Sequence, residues 1–360
     1  MPTQGGVVAD YSLLDRVLHR LALGSTALAE LSFDLEKQFA RPSAQRRDAV
    51  YVTGLARAGT TALMRTLHDS GQFASLTYDD MPFLLAPNLW AKLSGIDKRQ
   101  RILQERAHGD GVQVDFDSPE ALEEVFWRMQ CGGDYIKPAF LQPHELSRPT
   151  LAQLRHYQSL VCRRYGRARY LAKNNNLMLR LSSMAAQQPD TTFLVVFRDP
   201  LAQARSLLQQ HKRFLDADAF TRKYMTWLAH HEFGATHRPF RFHKDSPPIE
   251  GGPEQLTYWL DRWCEAYTYL YEVLERGGKN LVPVSYERLC NEPTCWRSLQ
   301  HRLKLPEQAS PFRAVPVTSP DAVEGLSSEQ LGRALQVYRA LDAMAAAVQD
   351  AEPRSFSKTG

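Results

Sequence analysis

The chain has little of what marks several broad protein classes. Its 44 Lys+Arg against 40 Asp+Glu leave a net charge of only +4. That is too weak a field to read as nucleic-acid or membrane-surface binding, although it leaves room for a local basic pocket around a small anion. Cysteine is sparse and odd in number: five residues, Cys131, Cys162, Cys264, Cys290 and Cys295, widely spaced and with no Cys-x-x-Cys. A disulfide framework or zinc site is therefore disfavoured, and a reducing compartment fits best. No window approaches the ~18 uninterrupted apolar residues of a membrane span. Met1 to Asp10 has neither the basic nor the apolar region of a leader, so the expected location is cytoplasmic. Internal repeats and low-complexity tracts are lacking as well. What is present is ordinary for a globular chain: 360 residues, 43% hydrophobic and 23% charged, enough for one large α/β domain or two modest ones.

Periodicity divides the chain into alternating elements. Leucines and a valine from Leu13 to Leu35 recur at three- and four-residue steps, which predicts a helical N-terminal segment, broken near Gly24-Ser25 and ended by Arg41-Pro42. Ala49 to Thr53 predicts a strand and Thr60 to Asp69 a helix stopped by Gly71. Further strands are predicted at Phe73–Thr77, Arg169–Lys173, Phe193–Phe197 and Asn280–Val284. Helices are predicted at Pro119–Met129, Leu151–Tyr165, Leu201–Gln210, Thr257–Arg276 and Leu326–Val348. Phe193–Phe197 is apolar throughout, as a parallel strand covered on both faces should be. Alternation of this kind predicts a three-layer α/β fold with a central, mainly parallel sheet. The expected organisation is an N-terminal helical segment (1–45) packed on the core, a single α/β domain (46–350) with a lid or insertion near 236–255, and a short tail (351–360).

Two segments carry chemistry. Gly54-Leu-Ala-Arg57-Ala58-Gly59-Thr60-Thr61 lies between a predicted strand and a predicted helix. Glycines let such a loop curl its N–H groups toward one point, and the positive end of the following helix adds to them, so an anion is held there. The spacing is that of the P-loop GxxxxGK[ST], but Thr60 stands where the lysine belongs and the charge has moved back to Arg57. Such a loop is poorly made for a β,γ-phosphate pair and suits a single phosphate bearing another anionic group. The plain alternative is a strand–turn–helix corner with glycine for geometry alone. The second segment is Arg198-Asp199-Pro200, just past the carboxyl end of the best predicted strand, where open α/β sheets bind ligands. With Ser206 in the helix that follows, the Arg198 fork makes a cradle for a phosphate monoester.

Two anion corners in this order, about 140 residues apart, resemble those of the sulfotransferases that use 3′-phosphoadenosine 5′-phosphosulfate (PAPS). The first loop is similar to that family's 5′-phosphosulfate loop. The second is similar to its 3′-phosphate motif, in which an Arg and a Ser stand eight positions apart, as Arg198 and Ser206 do. Val284-Ser-Tyr286-Glu287-Arg-Leu289, followed by Pro293, resembles another family segment, and Leu171-Ala-Lys173 resembles its strand-end lysine. The matches run from about Val50 to Pro293. The resemblance implies a P-loop-like fold and a sulfonyl transfer from PAPS, leaving the desulfated nucleotide PAP. It implies that Arg57, Ala58, Gly59, Thr60 and Thr61 hold the 5′-phosphosulfate, Arg198 and Ser206 the 3′-phosphate, that Tyr286 approaches the adenine and that Lys173 touches the sulfonate or leaving oxygen. The chain departs from the family's cytosolic pattern where Ala58, Ala62 and Asn175 replace Ser, an aromatic residue and a basic His, and it has no clear C-terminal Arg-Lys-Gly loop. It is closer to the carbohydrate, tyrosylprotein and bacterial branches, which use a carboxylate base.

Sulfonyl transfer needs an acceptor hydroxyl that loses its proton, in-line geometry, and stabilisation of the bridging oxygen. The sulfonate carries less charge than a phosphoryl group, so no metal is required in principle, and no metal-ligand spacing is apparent. For the base, Asp80 is the first choice and Asp79 the second, just after the second predicted strand. Glu123, Glu124, His108 and Asp115 are further candidates. His230, His231, His237 and His243 read as surface histidines near the lid. The acceptor is expected to be a small-molecule, lipid or carbohydrate hydroxyl. A P-loop kinase or other nucleotide phosphotransferase is the alternative reading, and a non-catalytic nucleotide-binding module the second.

Overall fold

The computed structural model describes residues 13–43, 48–94, 122–243, 251–315 and 326–350. Five strands form one sheet: β1 (Ala49–Thr53), β2 (Phe73–Ala74), β3 (Arg169–Lys173), β4 (Thr192–Phe197) and β5 (Leu281–Ser285). Their order is β2-β3-β1-β4-β5, and every pairing is parallel. The helices are α1 (Leu13–Gly24), α2 (Thr26–Phe39), α3 (Thr60–Asp69), α4 (Pro87–Leu93), α5 (Glu124–Tyr135), α6 (Arg148–Tyr165) and α7 (Leu181–Gln187). They continue with α8 (Pro200–Leu215), α9 (Ala219–Trp227), α10 (Leu256–Arg276), α11 (Tyr286–Asn291), α12 (Pro293–Arg302) and α13 (Ser328–Asp350).

Parallel neighbours need crossovers, and the crossover helices cover both faces of the sheet. Successive strand residues point to opposite faces. Val52, Leu194, Val196 and Val284 meet Leu63 and Met64 of α3 and Trp296 of α12. Tyr51, Phe193, Val195 and Phe197 belong to the larger layer with Tyr157 of α6 and Trp263 and Tyr267 of α10. The expected three-layer α/β architecture is thus the observed one. Among the described residues, no helix is long and apolar enough to cross a membrane.

The N-terminal helices break where Gly24-Ser25 predicted, with Ser25 capping α2. The packed face differs from the leucine stripe. α2 buries Ala29, Phe33 and Glu36, whereas Leu28, Leu31 and Leu35 are exposed. The reason is local chemistry. The Glu36 carboxylate accepts the N–H groups of Asn88 and Leu89 at 3.0 Å each, an acid at the uncapped start of α4. Phe33 packs edge-on against Phe126 and Tyr157. β2 is shorter than predicted because the chain turns at Thr77, whose side chain and Asp80 close a capping box.

Of the proposed lid, residues 244–250 lie outside the described residues. The preceding stretch is docked: the Leu141 N–H donates to the Pro239 carbonyl (2.9 Å), and the Arg241 N–H to that of Leu141 (2.8 Å).

Candidate active site

The glycine loop leaves the carboxyl end of β1, the central strand. The Thr53 hydroxyl donates to the Asn174 carbonyl oxygen at 2.8 Å, tying the ends of β1 and β3. Gly54 takes φ +141°, and a Cβ there would stand 2.2 Å from the Val196 carbonyl oxygen. Only glycine lets the loop pass so close to β4. The loop rests on α8: Gln203 Nε2 donates to the Ala56 carbonyl (2.9 Å) while Gln203 Oε1 accepts from Trp263 Nε1 (3.0 Å). Arg57 is held at φ +68°, the left-handed region that a residue with a side chain enters at a cost. Gly59, at φ +93°, is the N-cap of α3 and provides no side-chain cap. The positive end of that helix therefore faces the loop without a capping side chain from its N-cap residue.

The second corner closes on the first. The Asp199 side chain caps α8 through the Ala202 N–H (2.8 Å), and the Asp199 N–H donates to Glu287 Oε1 (3.0 Å). These contacts fix where Arg198 leaves β4. Arg57 Nε donates to Ser206 Oγ at 3.0 Å, and Arg198 Nη1 reaches the Arg57 carbonyl at 3.4 Å. The Arg198 guanidinium lies 5.2 Å from the centre of the Tyr286 ring. That ring covers Gly59 so closely that a Cβ on Gly59 would be 2.2 Å from it. Arg57, Gly59, Arg198, Ser206 and Tyr286, spread over more than 200 residues of sequence, form one contiguous surface.

Lys173 ends β3, paired in register with Val52, and is buried. Three asparagines follow it. Asn174 donates to Glu124, which also accepts from the buried Arg180 at 2.8 Å. Asn175 Nδ2 donates to Glu232 Oε1 at 3.1 Å. Beside the loop a pocket opens, lined by Leu55, Ala56, Leu207, Glu232, His237, Arg238, Phe240 and Trp259 among others. Burial alone would push the Glu232 carboxyl up. The charge and hydrogen bond of His230, a backbone N–H and Asn175 outweigh it and hold the group at about 2. Burial pushes His237 down to about 4, and its Nε2 stands 2.7 Å from the Tyr258 hydroxyl.

Other residues singled out in the sequence fall elsewhere. Asp80 is fully buried. Its Oδ2 accepts from the Thr77 N–H (2.9 Å) and the Tyr165 hydroxyl, and Arg164 lies 3.5 Å from Oδ1. Arg164 and Tyr165 end α6, just before β3 begins, and β2 pairs only with the first two residues of β3. Lys173 is at the other end of that strand, about 13 Å along it. Burial raises the Asp80 carboxyl against the pull of Tyr165, Thr77 and Arg164. The exposed Asp79 shares this turn. Glu123 is likewise closed in, accepting from Tyr51, Tyr170 and Trp127. Ala58 is buried, and its N–H turns back to the Leu55 carbonyl (3.3 Å) rather than toward the loop opening. His231 is buried rather than on the surface, and His230 and His237 are partly covered. His108 and Asp115 lie outside the described residues. Cys131, Asp134 and His144 bring ligand-type atoms within 4.8 Å of one another. The Arg180 charge acts on both Cys131 and His144, which disfavours a second cation there. Sequence reasoning missed Glu232 altogether, since no motif surrounds it and only the fold carries it to the end of β3.

A protein-family model described as the sulfotransferase family matches residues 49–245. No curated protein matches the chain. Among solved structures, it is similar to sulfotransferase STF1 from Mycobacterium tuberculosis H37Rv, at 14% identity and a TM-score of 0.45, over 94% of this chain and 86% of that one. It is also similar to sulfotransferase STF9 from Mycobacterium avium, at 15% identity and a TM-score of 0.44, over 94% of this chain and 84% of that one.

Proposed function

The chain belongs to the sulfotransferase family and is a sulfotransferase; on that premise we propose that its donor is PAPS and its acceptor a hydroxyl compound. The observation that carries this reading is the meeting of the two corners through Arg57, Ser206, Arg198 and Tyr286. A donor with phosphate at both ends of its ribose needs two anion sites a few ångströms apart in one cleft. The donor set fits: two guanidinium groups, the hydroxyls of Thr60, Thr61 and Ser206, and a helix start with no side-chain cap.

In this reading the start of α3, with Arg57, Gly59, Thr60 and Thr61, holds the 5′-phosphosulfate. Arg198 and Ser206 hold the 3′-phosphate, where a bidentate fork is worth more than a point charge. Tyr286, which packs on Gly59, takes the adenine. PAPS, when bound, supplies an activated sulfonyl group and a phosphate leaving group. The chain's own contribution is to align it and to hold positive charge near the bridging oxygen, through Lys173 and the loop N–H groups. By analogy with phosphoryl transfer, these effects supply most of the acceleration. The acceptor enters the pocket beside Leu55 and Ala56, which pairs the apolar Phe240 and Trp259 with Arg238. A carboxylate takes up its proton. Asp80 is engaged in its own closed network, whereas Glu232 lines this pocket.

Calorimetric titration tests the donor. PAP is expected to bind at least about a hundredfold more tightly than ATP with magnesium. The reverse order would favour a nucleotide phosphotransferase. PAP binding without transfer of labelled sulfonyl to any hydroxyl offered would favour a binding module.

A further inference from the structure

One carboxylate, Glu232, faces the proposed acceptor pocket from a segment that carries no recognisable motif. After α9 the chain turns sharply at Ala229, with φ +53°. It is then pinned against the end of β3: Asn176 Nδ2 donates to the Ala229 carbonyl (3.0 Å) and Asn175 Nδ2 to Glu232 Oε1 (3.1 Å). The other carboxylate oxygen, Oε2, lies 3.4 Å from His230 Nδ1. Glu232 lines the pocket together with Leu55 and Ala56 of the loop. A carboxylate, an imidazole 3.4 Å from it and an amide fixing its orientation thus gather against the turn that follows β3.

We propose that Glu232 is the proton acceptor of the transfer, with His230 and Asn175 as its positioning residues. The proposal rests on the donor and acceptor reading above. As the acceptor oxygen forms its bond to sulfur, the bond from sulfur to the 5′-phosphate oxygen breaks and its electron pair leaves on that phosphate. The hydroxyl proton passes to Glu232 at the pocket wall, where His230 and Asn175 hold the carboxylate in place. The assignment follows from the geometry: Glu232 lines the pocket, and His230 Nδ1 stands 3.4 Å from its other carboxylate oxygen. The imidazole that lines the pocket, His237, is already engaged with the Tyr258 hydroxyl, and Arg238 and Arg262 line the same pocket.

The test uses the full chain and PAPS with water as the acceptor, so it does not depend on knowing the natural one. Single-turnover release of PAP is followed in wild type, Glu232→Gln, Glu232→Ala and His230→Gln, and PAP affinity is measured by calorimetry in each. Glu232→Gln is expected to slow release about 10²–10⁴-fold, the usual worth of a general base, with PAP affinity within about threefold of wild type. Added formate should restore part of the rate in Glu232→Ala. An unchanged rate in Glu232→Gln would overturn the proposal. So would a loss of PAP affinity in step with rate, a wild-type rate no faster than that of free PAPS, or formate without effect. Failure of wild type to bind PAP would instead sink the donor reading.

Discussion

At the scale of single residues, the site is governed by where two guanidinium groups are put. The Arg57 side chain reaches Ser206 while Arg198 reaches the Arg57 carbonyl. Like charges gathered in a half-buried cleft favour an anion between them, because Coulomb terms are weakly screened there. Replacing Arg198 with Ala should weaken PAP binding by about 1–3 kcal/mol, the scale of a charge-assisted contact, read by calorimetry. Gly59→Ala should be at least as damaging to PAP affinity. Its Cβ would meet the Tyr286 ring at 2.2 Å in a backbone conformation, φ +93°, that alanine rarely adopts. An alanine variant with wild-type affinity would show that the Tyr286 face is not part of the nucleotide site. The spacing of Arg57, Gly59, Arg198 and Ser206 was legible in the chain because each is set by its own strand–turn–helix junction. Glu232 was not, since its place depends on Asn175 and Asn176, more than 50 residues away.

At the scale of elements, the strands and helices nearest the site are those with the cleanest local signals. β1, α3 and β3 run as predicted, over Ala49–Thr53, Thr60–Asp69 and Arg169–Lys173. The elements misread were those decided by partners. β2 gives way after two residues because Thr77 and Asp80 satisfy each other in a turn. α2 presents its leucines outward because Glu36 is recruited by the start of α4. Asp80 thus belongs to the joint between the edge of the sheet and the last turn of α6. Asp80→Ala leaves Tyr165, Arg164 and the Thr77 N–H without their shared acceptor. It should cost about 1–3 kcal/mol in urea unfolding, while PAP affinity stays at the wild-type value. A variant that is fully stable but inactive would return Asp80 to the catalytic machinery.

At the scale of the whole molecule, buried imidazoles couple stability to acidity. His237 is held down to about 4 by burial, against an ordinary value of 6.5. The unfolded chain therefore takes up this proton first as the medium is acidified. Its contribution is fully present above pH 6.5 and is lost as the pH falls through about 4. Unfolding free energy measured from pH 7 to pH 4 should decline, and His237→Gln should flatten the decline. An identical decline in the variant would remove His237 as its source. His144, held to about 3 by burial and Arg180, acts in the same direction and should keep part of the decline in place. By itself the amino-acid order determined the alternating α/β elements, the glycine turn after β1, and the Arg–Ser spacing after β4. Those are short-range matters of backbone sterics, caps and periodicity. The tertiary structure alone decided which carboxylate lines the pocket, which face of α2 is covered, and which histidines lose contact with water. Burial and partnership are properties of segments brought together across the sheet, and no stretch of chain carries them alone.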